Sequence, residues 1–189
     1  MRSPGSTVVV VVGGVTDAIV RELGRLPNVQ ALRLTDEESR ATAEAAARPA
    51  VGAPSVREVL ASAHSPFLVH DLDPLAAVAR AWTAFFENPA TLPALRIETE
   101  SALASFAAGE SVLPDYYLVL GPETITTAES QWWLGVLAAV APSRVLPVEA
   151  TTGAVQRMLG SLPTGRAWPE PAGWLRELPL QVPDRVGLF

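Results

Sequence analysis

Five short runs rich in β-branched and aromatic residues, at positions 7–12, 29–34, 66–70, 116–120 and 144–148, alternate with stretches of helical periodicity. This alternation constrains the fold more than any other feature of the chain. A parallel strand must be followed by a crossover long enough to return to the starting edge, and a helix is the usual solution. None of the runs shows clean polar alternation, so each reads as a strand covered on both faces.

The expected fold is therefore α/β, a three-layer, Rossmann-like, doubly wound arrangement with about five mainly parallel strands and helices on both faces. At 189 residues the chain is expected to form one domain over residues 1–189, with 165–189 an irregular tail rich in Trp and Pro packed on it. Ile19, Val20, Leu23 and Leu26 share one helical face over 17–26, with Asp17 and Arg21 four apart outside. Three capping boxes mark helix starts, Thr35 with Glu38, Ser55 with Glu58 and Thr126 with Glu129. Asp73 before Pro74 opens a helix running to Glu87. A further helix is expected over 92–108, with Leu95, Leu103 and Phe106 in the core and a sheet edge to cover, and another over 152–159. In the tail a short helix is expected near 172–178, with Trp168 and Trp174 pinning the segment to the body.

Composition removes many chemistries. All 14 basic residues are arginine, so there is no lysine for a Schiff base or a phosphate loop, and with no cysteine, thiol catalysis and thiolate metal sites go too. A net charge of −6 disfavours nucleic acid and anionic lipid as partners, since both require a basic footprint. The most apolar stretches, 8–15 and 132–141, fall far short of the roughly 20 residues that cross a bilayer. The N-terminal valine run is closed by two glycines and followed by an amphipathic helix, which reads as a strand rather than a leader. The expected compartment is cytoplasmic. Arginine without lysine and abundant alanine fit a high-GC bacterial genome.

The stretch STVVVVVGGVTDAIVRELG presents a strand, a glycine turn and a helix, the place where many α/β proteins hold a phosphate. A dinucleotide fingerprint laid from Gly13 puts Val15 and Ala18 where glycines are needed, and a phosphate loop needs the missing lysine. Asp17 stands in the first helical turn, where a phosphate would otherwise sit. The turn is thus read as structural, on a scaffold that kept the strand and has no phosphate grip.

Ligands in open α/β sheets bind beyond the carboxyl ends of the strands. Those ends carry Asp36, Asp71, Asp73, Glu123 and Glu149, with His70 as the one group able to become cationic. Such an edge repels a bare phosphate but suits Mg²⁺, with Asp71, Asp73 and Glu123 as ligands and His70 and Asp71 as candidate catalytic groups. The nine residues PFLVHDLDP resemble the strand-end D-x-D of haloacid-dehalogenase-like phosphatases. In that family the motif opens the domain and a clustered acidic pair follows, whereas here it falls on the third strand and no adjacent acidic pair follows Asp73. A nucleophile elbow is absent, and His64 reads as a helix-end cap.

On helices, Trp132 and Trp133 would point about 100° apart, and Phe85 would lie beside the face shared by Trp82 and Phe86. Trp82, Phe85, Trp132 and Trp133 are accordingly the candidate partner-binding residues, because aromatic side chains dominate interface hot spots. Taken together, the expected function is a non-catalytic protein-interaction or regulatory module without cofactor, on a degenerate nucleotide-binding-like fold, with a protein partner or a second copy of itself. The alternative is a divalent-metal-dependent hydrolase or phosphotransfer enzyme acting on a phosphorylated small molecule.

Overall fold

The computed structural model describes residues 6–35, 64–88 and 91–182. Strands β1 (Thr7–Gly13), β2 (Val29–Leu32), β3 (Phe67–His70), β4 (Tyr116–Leu120) and β5 (Val145–Val148) form one sheet in the order β2-β3-β1-β4-β5. All four neighbouring pairs are parallel. The unbroken valine run explains why β1 is central. Val9 and Val11 pack on one face, Val10 and Val12 on the other, and a strand with partners on both sides needs apolar residues at every position.

Strand order also decides where the helices lie. Leaving β1 the chain moves two places toward one edge, and after β3 it moves back past β1 to β4. Right-handed crossovers in opposite directions land on opposite faces. Helix α1 (Thr16–Leu23) thus shares a face with α5 (Thr152–Leu159), covering Val9, Val11, Leu118 and Leu120. The opposite face, carrying Val10, Val12, Tyr117 and Val119, is covered by α2 (Ala76–Glu87) and by the helix that follows β4. The result is the expected three-layer α/β architecture.

That second helix, α4, begins over Thr127–Ser130, widens into a π-helix over Gln131–Leu137 and ends over Ala138–Val140. Its start is the expected capping box: Glu129 N–H donates to Thr126 Oγ1 at 3.2 Å, and Thr126 N–H donates to Glu129 Oε2 at 2.9 Å. The wider π turn separates successive side chains by less than 100°, so both Trp132 and Trp133 fit the core face. The other two capping boxes and Asp36 lie outside the described residues.

Helix α3 (Leu92–Ala108) has the expected bounds, but it packs against α2 and α6 (Pro171–Leu175) as an outer element. Leu95 is fully buried, while Leu103 and Phe106 are partly so. Beyond α5 the chain runs along the amino end of the sheet. Arg144 holds it there by donating to the carbonyls of Arg166 (3.0 Å) and Gly165 (2.9 Å), and the Trp168 indole donates to the Pro114 carbonyl at 2.8 Å. Helix α6 and a 3-10 turn over Leu178–Gln181 then bury Trp174, Leu175 and Leu178 against the α2 face. Among the described residues no helix is long and apolar enough to cross a membrane.

Candidate functional site

Because α1 leaves β1 toward one face while the chain leaves β3 and β4 toward the other, a crevice opens beyond the carboxyl end of β1. A cleft of about 280 Å³ occupies it. Val11, Val12, Gly13 and Thr16 contribute from β1 and α1, Asp71 and Asp73 from the end of β3. Ala76, Ala79, Arg80 and Thr83 line it from α2, and Glu129, Trp132 and Trp133 from α4.

The glycine turn at its base is tightly packed. Gly13 has φ 99°, and a Cβ there would meet the Leu120 carbonyl oxygen at 2.5 Å, so the turn lies directly on the end of β4. Val15 takes a left-handed conformation (φ 53°) and α1 starts at once with Thr16. Asp17 then faces two guanidinium groups, Arg21 at 2.6 Å and Arg33 at 2.8 Å. These exposed pairs add little stability. Their effect is to fill the positive start of α1 with a carboxylate and its counterions.

Asp71, expected as a catalytic group or metal ligand, is a latch between β2 and β3. Its Oδ1 accepts the N–H groups of Leu34 (2.6 Å) and Thr35 (3.1 Å), and its Oδ2 accepts the Thr35 hydroxyl at 2.6 Å. Both oxygens are engaged in holding the end of β2. His70 is 3% exposed, lies outside the cleft lining, and neither ring nitrogen has a hydrogen-bond partner among the described residues. Burial pushes its pKa down to about 4, against the opposing pull of Asp71, so the ring is neutral at pH 7.

Asp73 is the carboxylate that faces the cleft. Its Oδ1 accepts the Leu75 N–H and the Tyr117 hydroxyl, each at 2.9 Å, while Oδ2 has no partner among the described residues. Burial pushes its pKa up to about 6, with Leu75, Tyr117 and Arg80 holding it back. Tyr117 is raised well above its ordinary value by burial and by Asp73, so it remains a donor. Glu123 is exposed and outside the cleft. No three His, Asp or Glu side chains converge as a metal cage among the described residues, so Asp71, Asp73 and Glu123 are not brought together as one ligand set.

The four aromatic residues expected at a partner surface are in the core instead. Trp82, Phe85, Trp132 and Trp133 are at most 7% exposed. Trp82 packs on Trp132 with ring centroids 5.8 Å apart, and Tyr117 on Trp133 at 5.5 Å. The π turn and the tail, whose Leu178 carbonyl accepts the Trp82 indole N–H at 3.3 Å, complete their burial. Arg80 and Thr83, which also line the cleft, belong to no motif in the sequence. The spacing of Ala76, Ala79, Arg80 and Thr83 was the available signal, since i, i+3, i+4 and i+7 put small and polar residues on one face beside a strand end.

Comparison with protein-family models, curated proteins and solved structures finds no match to this chain.

Proposed function

We propose that the chain is a non-catalytic regulatory or interaction module on a nucleotide-binding-like α/β scaffold that has no phosphate loop. The observation that carries this reading is the occupied start of α1, where Asp17 and its arginines stand at the place of a phosphate and Gly13 is pressed against Leu120. The groups a hydrolase would use support it as well, since His70 is sunk as a neutral ring and Asp71 is spent on the β2 backbone. The partner is a protein or a second copy of the chain. Ile97 and Leu180, 68% and 58% exposed, are apolar groups available to it. The compartment we propose for the chain is the cytoplasm.

One observation favours the enzymatic alternative. A carboxyl with a raised pKa in a cleft, as at Asp73, is what general acid-base catalysis employs. Incubation of the purified protein with Mg-ATP, Mg-GTP and p-nitrophenyl phosphate separates the readings. We expect no turnover and no nucleotide-dependent rise in melting temperature. Hydrolysis that disappears in Asp73→Asn would overturn the regulatory reading in favour of the enzyme.

A further inference from the structure

We infer that the cleft beyond β1 binds a small zwitterion with an apolar body, of which a large apolar α-amino acid is the simplest member, its ammonium on Asp73 and its carboxylate on Arg80. This names the ligand of the proposed regulatory module and rests on that reading.

The cleft is built around one oriented carboxylate. With Oδ1 fixed by the Leu75 N–H and the Tyr117 hydroxyl, Oδ2 of Asp73 is held in place and has no partner among the described residues, ready for a charge-assisted donor. Arg80 follows seven residues later on the cleft-lining side of α2 and is exposed. It forms no ion pair among the described residues, although Asp73 feels its charge. Both residues line the same cleft.

Between the charges the surface is apolar. Ala76 and Ala79 line it from α2, and Trp132 and Trp133 from α4.

Other ligand classes match less. A phosphate ester would face Asp71, Asp73 and Glu129 with only Arg80 in its favour, and a bare metal ion would find no cage among the described residues. A volume of about 280 Å³ is at the small end of ligand sites.

The test is calorimetric titration of the full chain with L-phenylalanine, with tryptophan fluorescence as an independent readout from the cleft wall. Phenethylamine, which lacks the carboxylate, and 3-phenylpropionate, which lacks the ammonium, are the comparison ligands. We expect L-phenylalanine to bind, and each truncated analogue to bind about tenfold more weakly or worse. Arg80→Gln should weaken L-phenylalanine similarly and leave phenethylamine unchanged. Because Arg80 is exposed, that variant keeps the wild-type melting temperature, so its loss of binding is not a folding defect. Asp73→Asn should weaken L-phenylalanine and leave 3-phenylpropionate unchanged.

Absence of binding by both L-phenylalanine and L-leucine into the millimolar range would overturn the site while leaving the regulatory reading intact. Equal binding of L-phenylalanine and phenethylamine would overturn the zwitterion. Recovery of chemically altered L-phenylalanine would keep the site and overturn the non-catalytic reading.

Discussion

The Tyr117 hydroxyl donates to Asp73 Oδ1 at 2.9 Å, tying the middle of β4 to the turn that leads from β3 into α2. The bond crosses behind β1 and fixes the carboxylate at the cleft mouth. Tyr117→Phe keeps the ring in its place against Trp133 and removes only the donor. The expected cost is about 1–2 kcal/mol in urea unfolding. Since that bond helps to hold the carboxyl down, the Asp73 pKa should rise further above about 6, as a carboxyl-carbon NMR titration would show. An unchanged titration would mean that the hydroxyl does not reach Asp73 in solution.

Asp73 and His70 make opposing contributions to the pH dependence of stability. Native Asp73 keeps a proton up to about pH 6, whereas the unfolded residue has released it above its usual 3.8. Acidification through that window therefore stabilises the fold. Native His70 refuses a proton down to about pH 4, whereas the unfolded ring takes one up near 6.5, so acidification destabilises. Each shift corresponds to roughly 3 kcal/mol, and the two nearly cancel between pH 6.5 and 4. In Asp73→Asn the cancellation is lost, and the variant should fall by roughly 3 kcal/mol relative to wild type as pH drops from 6.5 to 4. His70→Leu should move the opposite way. Parallel wild-type and variant curves in urea unfolding at pH 7, 6, 5 and 4 would contradict both assignments.

Gly13 and Gly173 differ in what surrounds a new methyl group. At Gly13 a Cβ would be 2.5 Å from the Leu120 carbonyl oxygen in a backbone with φ 99°, so Gly13→Ala must separate the turn from β4. A loss of about 2–4 kcal/mol is expected. At Gly173, inside α6, nothing lies within 4 Å of the added carbon. Gly173→Ala should be neutral or stabilising by up to about 1 kcal/mol. Melting temperatures of the two variants, measured side by side, test the closed turn directly.

These local features were legible in the sequence to different depths. The strand over Tyr116–Leu120 and the helices over Leu92–Ala108 and Thr152–Leu159 carry the bounds read from pattern alone, because capping, periodicity and strand propensity are local. The order β2-β3-β1-β4-β5 depends on pairings far apart in sequence, as between Val10 and His70, and had no local signature. The reading of Trp132 and Trp133 assumed 100° per residue, which the π turn does not obey. Asp73 was singled out as a strand-end carboxylate. Arg80 was not, since its role depends on which face of α2 borders the cleft.

Asp71 shows why a strand-end carboxylate need not be chemical. It accepts two backbone N–H groups and a hydroxyl from Leu34 and Thr35, with Leu34 fully buried beside it. Asp71→Ala leaves those donors unsatisfied and should cost about 3 kcal/mol or more. Asp71→Asn retains an acceptor for the backbone and has an amide that donates to the Thr35 hydroxyl, so its cost should be at most about half as large. A structural latch predicts this ordering in urea unfolding whether EDTA or Mg²⁺ is present. A metal ligand predicts instead that Mg²⁺ raises wild-type stability and that both variants lose the increment together. Unfolding of the three proteins in EDTA and in Mg²⁺ decides between them, and we expect six curves that sort by residue 71 and not by metal.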